Sequence, residues 1–175
     1  MRRPFHVLTV AGAAAHHVFE LAAGVGLIFA PQLGMRGAAL FWGGMLPAAG
    51  LAAARGSDRW DPALGYAAGT SLAMDLLHFQ IWPWALRRGV PTLTEAEGLG
   101  GRPLAAYNAV LQAWAVAAAA ALALETPPRA RRWAAVGALG AAAVGPPSVR
   151  HHFAWLGEQA RTNPAWWNRS APATS

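Results

Sequence analysis

The sequence predicts an all-α protein, a polytopic membrane bundle of about five transmembrane helices. Of its 175 residues, 55% are hydrophobic and only 13% are charged, whereas about a quarter of the residues in an average soluble domain are charged. Five long apolar stretches contain no arginine, and the chain has no lysine. Because a bilayer core about 30 Å thick requires about 20 residues of apolar helix, these stretches are predicted to span a membrane.

The predicted spans follow one another with short gaps between them. They cover residues 6–30, 37–54, 63–86, 104–124 and 133–149. The gaps contain proline, glycine and charged residues, which favour loops over helix. The fifth span is the shortest, and it runs into Pro146-Pro147, where a helix kinks or ends.

A polar segment follows the predicted spans. The membrane domain is expected to occupy residues 1–157, and a polar C-terminal tail residues 158–175. Trp166 and Trp167 in this tail suit a membrane–water interface, where the amphipathic indole ring is favoured. The alternative of a soluble Ala-rich bundle would need a wide polar stripe on each helix, and the first, third and fourth spans have none.

The distribution of charge bears on partners and location. The net charge is +6 and the isoelectric point is about 11.4, but the arginines lie in separate gaps and form no basic, aromatic-rich surface of the kind that binds nucleic acid. The expected partners are a hydrophobic small-molecule substrate and membrane lipid, with no nucleic acid, and a homo-oligomer stays open. The Ala-, Gly- and Arg-rich composition is typical of a bacterial chain, so the predicted location is the cell inner membrane, crossed several times.

Ionisable side chains inside the apolar stretches are the clearest functional signal. A charged residue at the centre of a membrane helix costs about 2.5 to 3.5 kcal/mol on insertion scales, so such residues are usually buried and functional. Residues three or four apart share one helix face. His16 and Glu20 have this spacing, as do the pairs Asp75–His78 and Asn108–Gln112. Three helices therefore each carry a polar stripe, and we expect the stripes to converge in one intramembrane pocket.

This pattern favours acid–base chemistry on an apolar substrate. A desolvated Glu20 paired with His16 is expected to protonate an alkene, and Asp75 with His78 forms a second acid–base pair. The face of a tryptophan stabilises the resulting carbocation by cation–π attraction. The predicted catalytic residues are His16, Glu20, Asp75 and His78, and the predicted substrate-binding residues are His17, Trp42, Tyr107, Asn108, Gln112 and Trp114. No metal site and no cofactor are predicted.

Three other interpretations of the polar stripes remain open. Polar side chains also join membrane helices by hydrogen bonds alone. The same pocket suits a lipid-binding membrane protein without turnover. A haem-binding electron carrier or metal site would use His16 or His17 together with His78, or the His151–His152 pair, because a bis-imidazole site needs histidines at matching depth on facing helices.

Four motifs follow one another in the same order as in a known membrane-protein family. They are Ala15-His16-His17-Val18-Phe19-Glu20, Leu40-Phe41-Trp42-Gly43, Met74-Asp75-Leu76-Leu77-His78-Phe79, and the helix from Arg102-Pro103-Leu104 to Gln112-Ala113-Trp114. Over about residues 8–120 the chain resembles the emopamil-binding protein family, whose EXPERA membrane domain includes sterol double-bond isomerases. The resemblance implies an intramembrane pocket for a polycyclic or isoprenoid lipid, with proton-transfer chemistry. The family's second glutamate falls on Met35 here.

These observations combine into one functional expectation. The chain is predicted to be an integral membrane isomerase or cyclase that acts by proton transfer on an isoprenoid, sterol-like or polyketide-like substrate.

Overall fold

The computed structural model describes residues 3–170. Five α-helices form this part of the chain: α1 (Pro4–Ala23), α2 (Ala30–Arg55), α3 (Asp61–Ile81), α4 (Gly101–Ala120) and α5 (Arg131–Thr162). A π-helical turn, Ala121–Glu125, continues α4. The fold is all-α, with 79% of residues in helix. Two helices, α2 and the continuous Gly101–Glu125, are long and apolar enough to cross a membrane.

The first helix is shorter than the predicted span. α1 begins with a proline in its first turn and ends at Gly24, which adopts a left-handed conformation with φ of 85°. Gly26, with φ of 77°, continues the turn. Such positive φ values are readily accessible only to glycine. The stretch before Ala30 is therefore a glycine-based turn, although its composition is as apolar as the helix.

The third predicted span is divided between a helix and a strand. α3 ends at Ile81 because Trp82, which precedes Pro83, is extended. Residues Trp84–Arg87 (β1) then pair antiparallel with Val90–Leu93 (β2), with Trp84 opposite Leu93. The two turn residues, Arg88 and Gly89, both have positive φ, as a tight hairpin turn requires.

A buried amide attaches this hairpin to the bundle. Asn108 on α4 accepts a hydrogen bond from the Leu93 N–H at 2.7 Å and donates to the Leu93 carbonyl at 3.1 Å. It also donates to the Leu104 carbonyl at 2.9 Å. Gln112, one turn further along α4, donates to the Pro91 carbonyl at 3.1 Å. The hairpin is therefore fixed to α4 along one face.

The last helix is longer than the predicted fifth span. α5 continues through Pro146-Pro147 to Thr162. The chain after it then turns back onto the end of α1, where the Ser170 N–H bonds the Gly24 carbonyl at 3.0 Å and its hydroxyl bonds the Ala23 carbonyl at 2.6 Å. Of the predicted tail, residues 171–175 lie outside the described part. The rest is an α5 extension and a packed segment.

Glycines allow the closest helix contact in the bundle. α3 and α5 share the most extensive interface. A Cβ atom at Gly69 would overlap the Ala134 carbonyl, and one at Gly137 would overlap the Tyr66 carbonyl. Close backbone approach through small residues is the usual packing mode of membrane helices.

Charged residues join the start of α1 to the ends of other elements. Arg3 forms an ion pair with Asp61 at the start of α3, and Arg129 approaches the same carboxylate at 2.6 Å. The two carboxylate oxygens of Glu125 accept hydrogen bonds from the Phe5 and His6 N–H groups, each at 2.9 Å. Glu125 thus caps α1 from a distant part of the chain, since a helix start leaves such N–H groups without intrahelical partners.

Candidate functional site

Side chains from α1, α3 and α4 meet inside the bundle. His16 Nε2 lies 3.2 Å from Glu20 Oε1 on α1. The His16 ring centroid is 5.2 Å from that of His78 on α3 and 5.6 Å from that of Tyr107 on α4. His16, Glu20, His78 and Tyr107 therefore lie together, whereas the Asn108–Gln112 stripe expected from α4 contacts the hairpin instead.

A fourth part of the chain, beside α1, α3 and α4, contributes Glu97, which the sequence analysis does not predict as a site residue. It lies in the loop between β2 and α4 and is only 3% exposed. The Tyr107 hydroxyl lies 2.9 Å from Glu97 Oε1, and His78 Nε2 lies 3.8 Å from the same oxygen. Glu97 also has φ of 53°, a conformation uncommon outside glycine that concentrates at functional sites.

The loop folds inward because of its own apolar residues. Leu93, Ala96 and Leu99 are buried on either side of Glu97, and Gly98 supplies a positive φ at a point where a Cβ would meet the Ser170 carbonyl. This apolar spacing in a gap between spans was the available signal for a buried glutamate. It is a weak signal, because Glu97 lies outside the apolar stretches, where a glutamate is ordinarily exposed to solvent.

Glu20 and Glu97 form a pair of carboxyl groups. One carboxyl oxygen of each residue lies within 4.8 Å of one of the other, and the Tyr107 hydroxyl bridges them, 3.3 Å from Glu20 Oε1 and 2.9 Å from Glu97 Oε1. Burial raises the pKa of Glu97 well above its usual range, and the neighbouring Glu20 raises it further. Two carboxylates at this separation favour sharing a proton, because like charges in a buried site repel.

The histidines around this pair are held in defined orientations. His78 Nδ1 lies 2.9 Å from the Met74 carbonyl and 3.2 Å from the Asp75 carbonyl. Both are acceptors, so Nδ1 carries a proton, and Nε2 faces Glu97. His17 Nδ1 lies 3.4 Å from Glu20 Oε2. The carboxyl pair therefore has imidazoles on more than one side.

Two tryptophans pack against these histidines. Trp114 is stacked on His16 with centroids 5.1 Å apart, and Trp42 lies 4.1 Å from His17. Gly12 makes room for Trp114, because a Cβ there would lie 2.8 Å from its ring. Both predicted cation-stabilising rings thus adjoin the acidic cluster, as an aromatic face must to stabilise a positive charge.

Three of the predicted site residues lie apart from this cluster. Asp75 is buried, but its carboxyl makes no hydrogen bond or ion pair within residues 3–170. His78 contacts the Asp75 backbone and pairs with Glu97, so the predicted Asp75–His78 side-chain pair is replaced by another. The amides of Asn108 and Gln112 bond the hairpin backbone. Their substrate-binding role stays a prediction.

An apolar cavity begins one helical turn from His78. Its volume is about 500 Å³. It lies between the end of α3 and the proline-containing part of α5, with Trp82 and Phe153 on its walls and Arg150 at its edge. These two rings pack edge to face at 5.6 Å and contact the core that contains Tyr107. The cavity is therefore separated from the polar cluster by aromatic side chains.

Comparisons with family models, with curated proteins and with solved structures found no match to this chain.

Proposed function

We propose that this chain is an integral membrane isomerase or cyclase that transfers protons to and from a hydrophobic isoprenoid, sterol-like or polyketide-like substrate. The observation that carries the proposal is the Glu20–Glu97 carboxyl pair bridged by Tyr107. A carboxyl group that keeps its proton in an apolar interior is the acid that alkene protonation needs.

The outer surface of the bundle supports a location in the membrane. In the most apolar 18-residue window of α2, only 17% of residues are buried. Large apolar side chains are exposed on all five helices, among them Val18, Leu40, Leu76, Val116 and Leu139. Extended apolar surface of this kind is rare on monomeric soluble proteins. We propose that the chain lies in the cell inner membrane and crosses it several times, and α2 and the continuous Gly101–Glu125 helix are the two that are long and apolar enough by composition.

The proposed reaction moves a double bond or closes a ring. The acidic proton of the carboxyl pair is transferred to one alkene carbon of the substrate, which forms a C–H bond and leaves a carbocation at the other carbon. The faces of Trp42 and Trp114 stabilise this cation. Loss of a proton from an adjacent carbon to His16 or to the second carboxylate forms the new double bond. Tyr107, which contacts both carboxyls, returns the proton between them, so no net proton is consumed.

An apolar cavity near the end of α3, separated from the acid by aromatic side chains, supports a hydrophobic substrate. The cavity beside Trp82 and Phe153 is mainly apolar and its volume of about 500 Å³ lies in the range of small-molecule pockets, about 300 to 1,000 Å³. Because the cavity begins within one helical turn of His78, we propose that a hydrophobic substrate approaches the site from this side. The resemblance to the emopamil-binding protein family favours the same class of substrate.

The cluster geometry disfavours a haem between the predicted histidines. The His16 and His78 rings meet edge to face with centroids 5.2 Å apart. A bis-imidazole haem site would need two histidines with room for the group between them, and the contact between His16 and His78 leaves none.

Deuterium incorporation provides a direct test. The full chain in lipid nanodiscs is incubated in D₂O with a linear polyprenyl alcohol, a sterol with a ring double bond and an unsaturated polyketide. We expect one of these to return as an isomer carrying one carbon-bound deuterium. Glu20→Gln should abolish this product, while the matched Glu158→Gln, at an exposed glutamate of α5, should leave it unchanged. Equal incorporation by the wild type and Glu20→Gln would refute the proposal, and retention of a bound lipid without chemical change would favour a lipid-binding protein.

A further inference from the structure

The same donors that surround the shared proton have the arrangement of a metal site. We propose that Glu20, His78 and Glu97 bind one divalent first-row transition-metal ion. This goes beyond the proposed function, because ion and proton are alternative occupants of the cluster. No metal was predicted from the sequence, since Glu97 was not recognised as part of the site.

The three donor atoms are close enough to share an ion. One oxygen of each glutamate and one His78 ring nitrogen lie within 4.8 Å of one another, and the His78 Nε2 to Glu97 Oε1 distance is 3.8 Å. Ligands about 2.1 Å from a tetrahedral ion are about 3.4 Å apart. Inward rotation of the two carboxyl groups closes the difference.

The His78 ring is already oriented as a ligand. Metal-binding histidines usually donate their other ring N–H to a carbonyl or carboxylate, which fixes the tautomer. His78 Nδ1 donates to the backbone carbonyls of α3, and Nε2 faces Glu97. When the ring is neutral and Glu97 is ionised, Nε2 and the Glu97 carboxylate each offer an electron pair, so both can coordinate an ion that lies between them.

Glu97 also has unused capacity to bind. Its Oε2 is buried and has no hydrogen-bond partner within the described chain, and Glu97 as a whole is 3% exposed. A buried unpaired carboxylate oxygen is costly. Two carboxylates in one buried cluster balance the charge of a divalent cation. Coordination therefore gives the unpaired oxygen a partner and removes the repulsion between the two carboxylates.

A competing trio shares only Glu20 with the proposed one. His16, His17 and Glu20 also place donor atoms within 4.8 Å of one another. This set has one carboxylate against two positive charges. The His16 Nδ1 is buried without a partner in residues 3–170, so that ring lacks the orienting hydrogen bond that His78 has. The charge balance and the outer contacts therefore favour the set with Glu97.

The donor types define the class of ion. Imidazole nitrogen suits zinc, iron, cobalt and their neighbours, whereas calcium and magnesium prefer oxygen alone. The chain has no cysteine, so a site selective for soft copper(I) or an iron–sulfur cluster is not formed from these donors. Zn²⁺, Fe²⁺, Mn²⁺ and Co²⁺ fit a mixed site of histidine and glutamate.

Cobalt binding tests the proposal without any substrate. The full chain in nanodiscs, treated with EDTA and then dialysed, is titrated with Co²⁺ and followed by visible ligand-field absorption and by metal analysis. We expect one ion per chain, displaced by Zn²⁺. His78→Gln and Glu97→Gln should weaken binding by more than about 100-fold, the upper effect of losing a mere outer-shell partner. Glu158→Gln should bind as the wild type does, and His17→Gln, which removes only an outer contact of Glu20, should weaken binding by no more than about 100-fold.

Helical circular dichroism of each variant checks that the fold persists. Where His78→Gln fails to fold, His78→Cys decides, because a thiolate ligand at this position adds a sulfur-to-cobalt charge-transfer band. Absence of binding to folded wild type, unchanged binding by His78→Gln and Glu97→Gln, or loss of binding by His17→Gln alone would each overturn the proposal. Turnover in EDTA without Co²⁺ binding would refute the metal site alone. Binding without deuterium incorporation would refute the proposed function alone.

Discussion

The Tyr107 hydroxyl lies 2.9 Å from Glu97 Oε1 and joins a residue of α4 to the loop before it. The same hydroxyl lies 3.3 Å from Glu20 on α1. The Tyr107 hydroxyl therefore contacts both members of the carboxyl pair. Its removal should hinder proton transfer between the two carboxyl groups, while the aromatic ring stays packed.

Tyr107→Phe tests the bridge. Removal of the hydroxyl should lower deuterium incorporation about 100-fold, because a positioned proton donor contributes at least about that factor. The ring volume is kept, so helicity and insertion should match the wild type. The measurement is the D₂O assay with the wild-type chain in parallel. An unchanged rate would show that the carboxyls exchange their proton by another route.

The protonation of Glu97 predicts a pH dependence of stability. Since burial raises the pKa of Glu97 well above its ordinary value of 4.5, the folded chain binds a proton that the unfolded chain has released. Stability should therefore fall as pH rises above about 4.5 and level off once the folded-state carboxyl has ionised. Thermal unfolding of metal-free protein across this range measures the slope. Glu97→Gln should flatten it, and an equal slope in this variant would assign the effect elsewhere.

Gly69→Ala tests the close contact of α3 and α5. The added Cβ would overlap the Ala134 carbonyl, so the helices must move apart, at a cost of about 1 to 3 kcal/mol for overpacking. The matched control is Gly43→Ala on α2, where no atom lies within 4 Å of the added Cβ. There, alanine should be neutral or stabilising by up to about 1 kcal/mol. Unfolding in detergent compares the two, and equal midpoints would contradict the packing described.

Asn108→Ala tests how the hairpin is held. The substitution removes three hydrogen bonds and leaves the buried Leu93 groups without partners, which should cost about 2 kcal/mol. Amide hydrogen exchange should accelerate over residues 84–93 more than elsewhere. Gln112→Ala, which removes one exposed contact, should cost less than about 1 kcal/mol. If both variants behave alike, the hairpin is held by its apolar contacts.

The helical fold and part of the site could be predicted from sequence for a clear physical reason. Apolar stretches of sufficient length fold as helix, and helical spacing places His16 beside Glu20 whatever the tertiary structure. The meeting of His78 and Tyr107 with this pair follows from the cost of leaving polar groups in an apolar environment.

Other features depend on tertiary contacts that the pattern does not encode. Glu97 is buried only because its loop folds inward between apolar neighbours and Gly98. Trp84 belongs to a hairpin, although the apolar residues around it predict the end of a membrane span. Asp75 has the helical spacing for a pair with His78, yet the ring turns to its own helix backbone and to Glu97. The direction of the His78 side chain, which sequence spacing alone does not fix, therefore determines its partner.

Because Glu125 caps α1 from a distant part of the chain, it constrains the order in which the protein assembles during synthesis. Its acceptor follows the donors at Phe5 and His6 by 120 and 119 positions. As the ribosome extends the chain, the first helix must leave these two amides to other partners until the fourth helix has been synthesised. Assembly of the nascent protein is thus completed at its beginning by a residue made late.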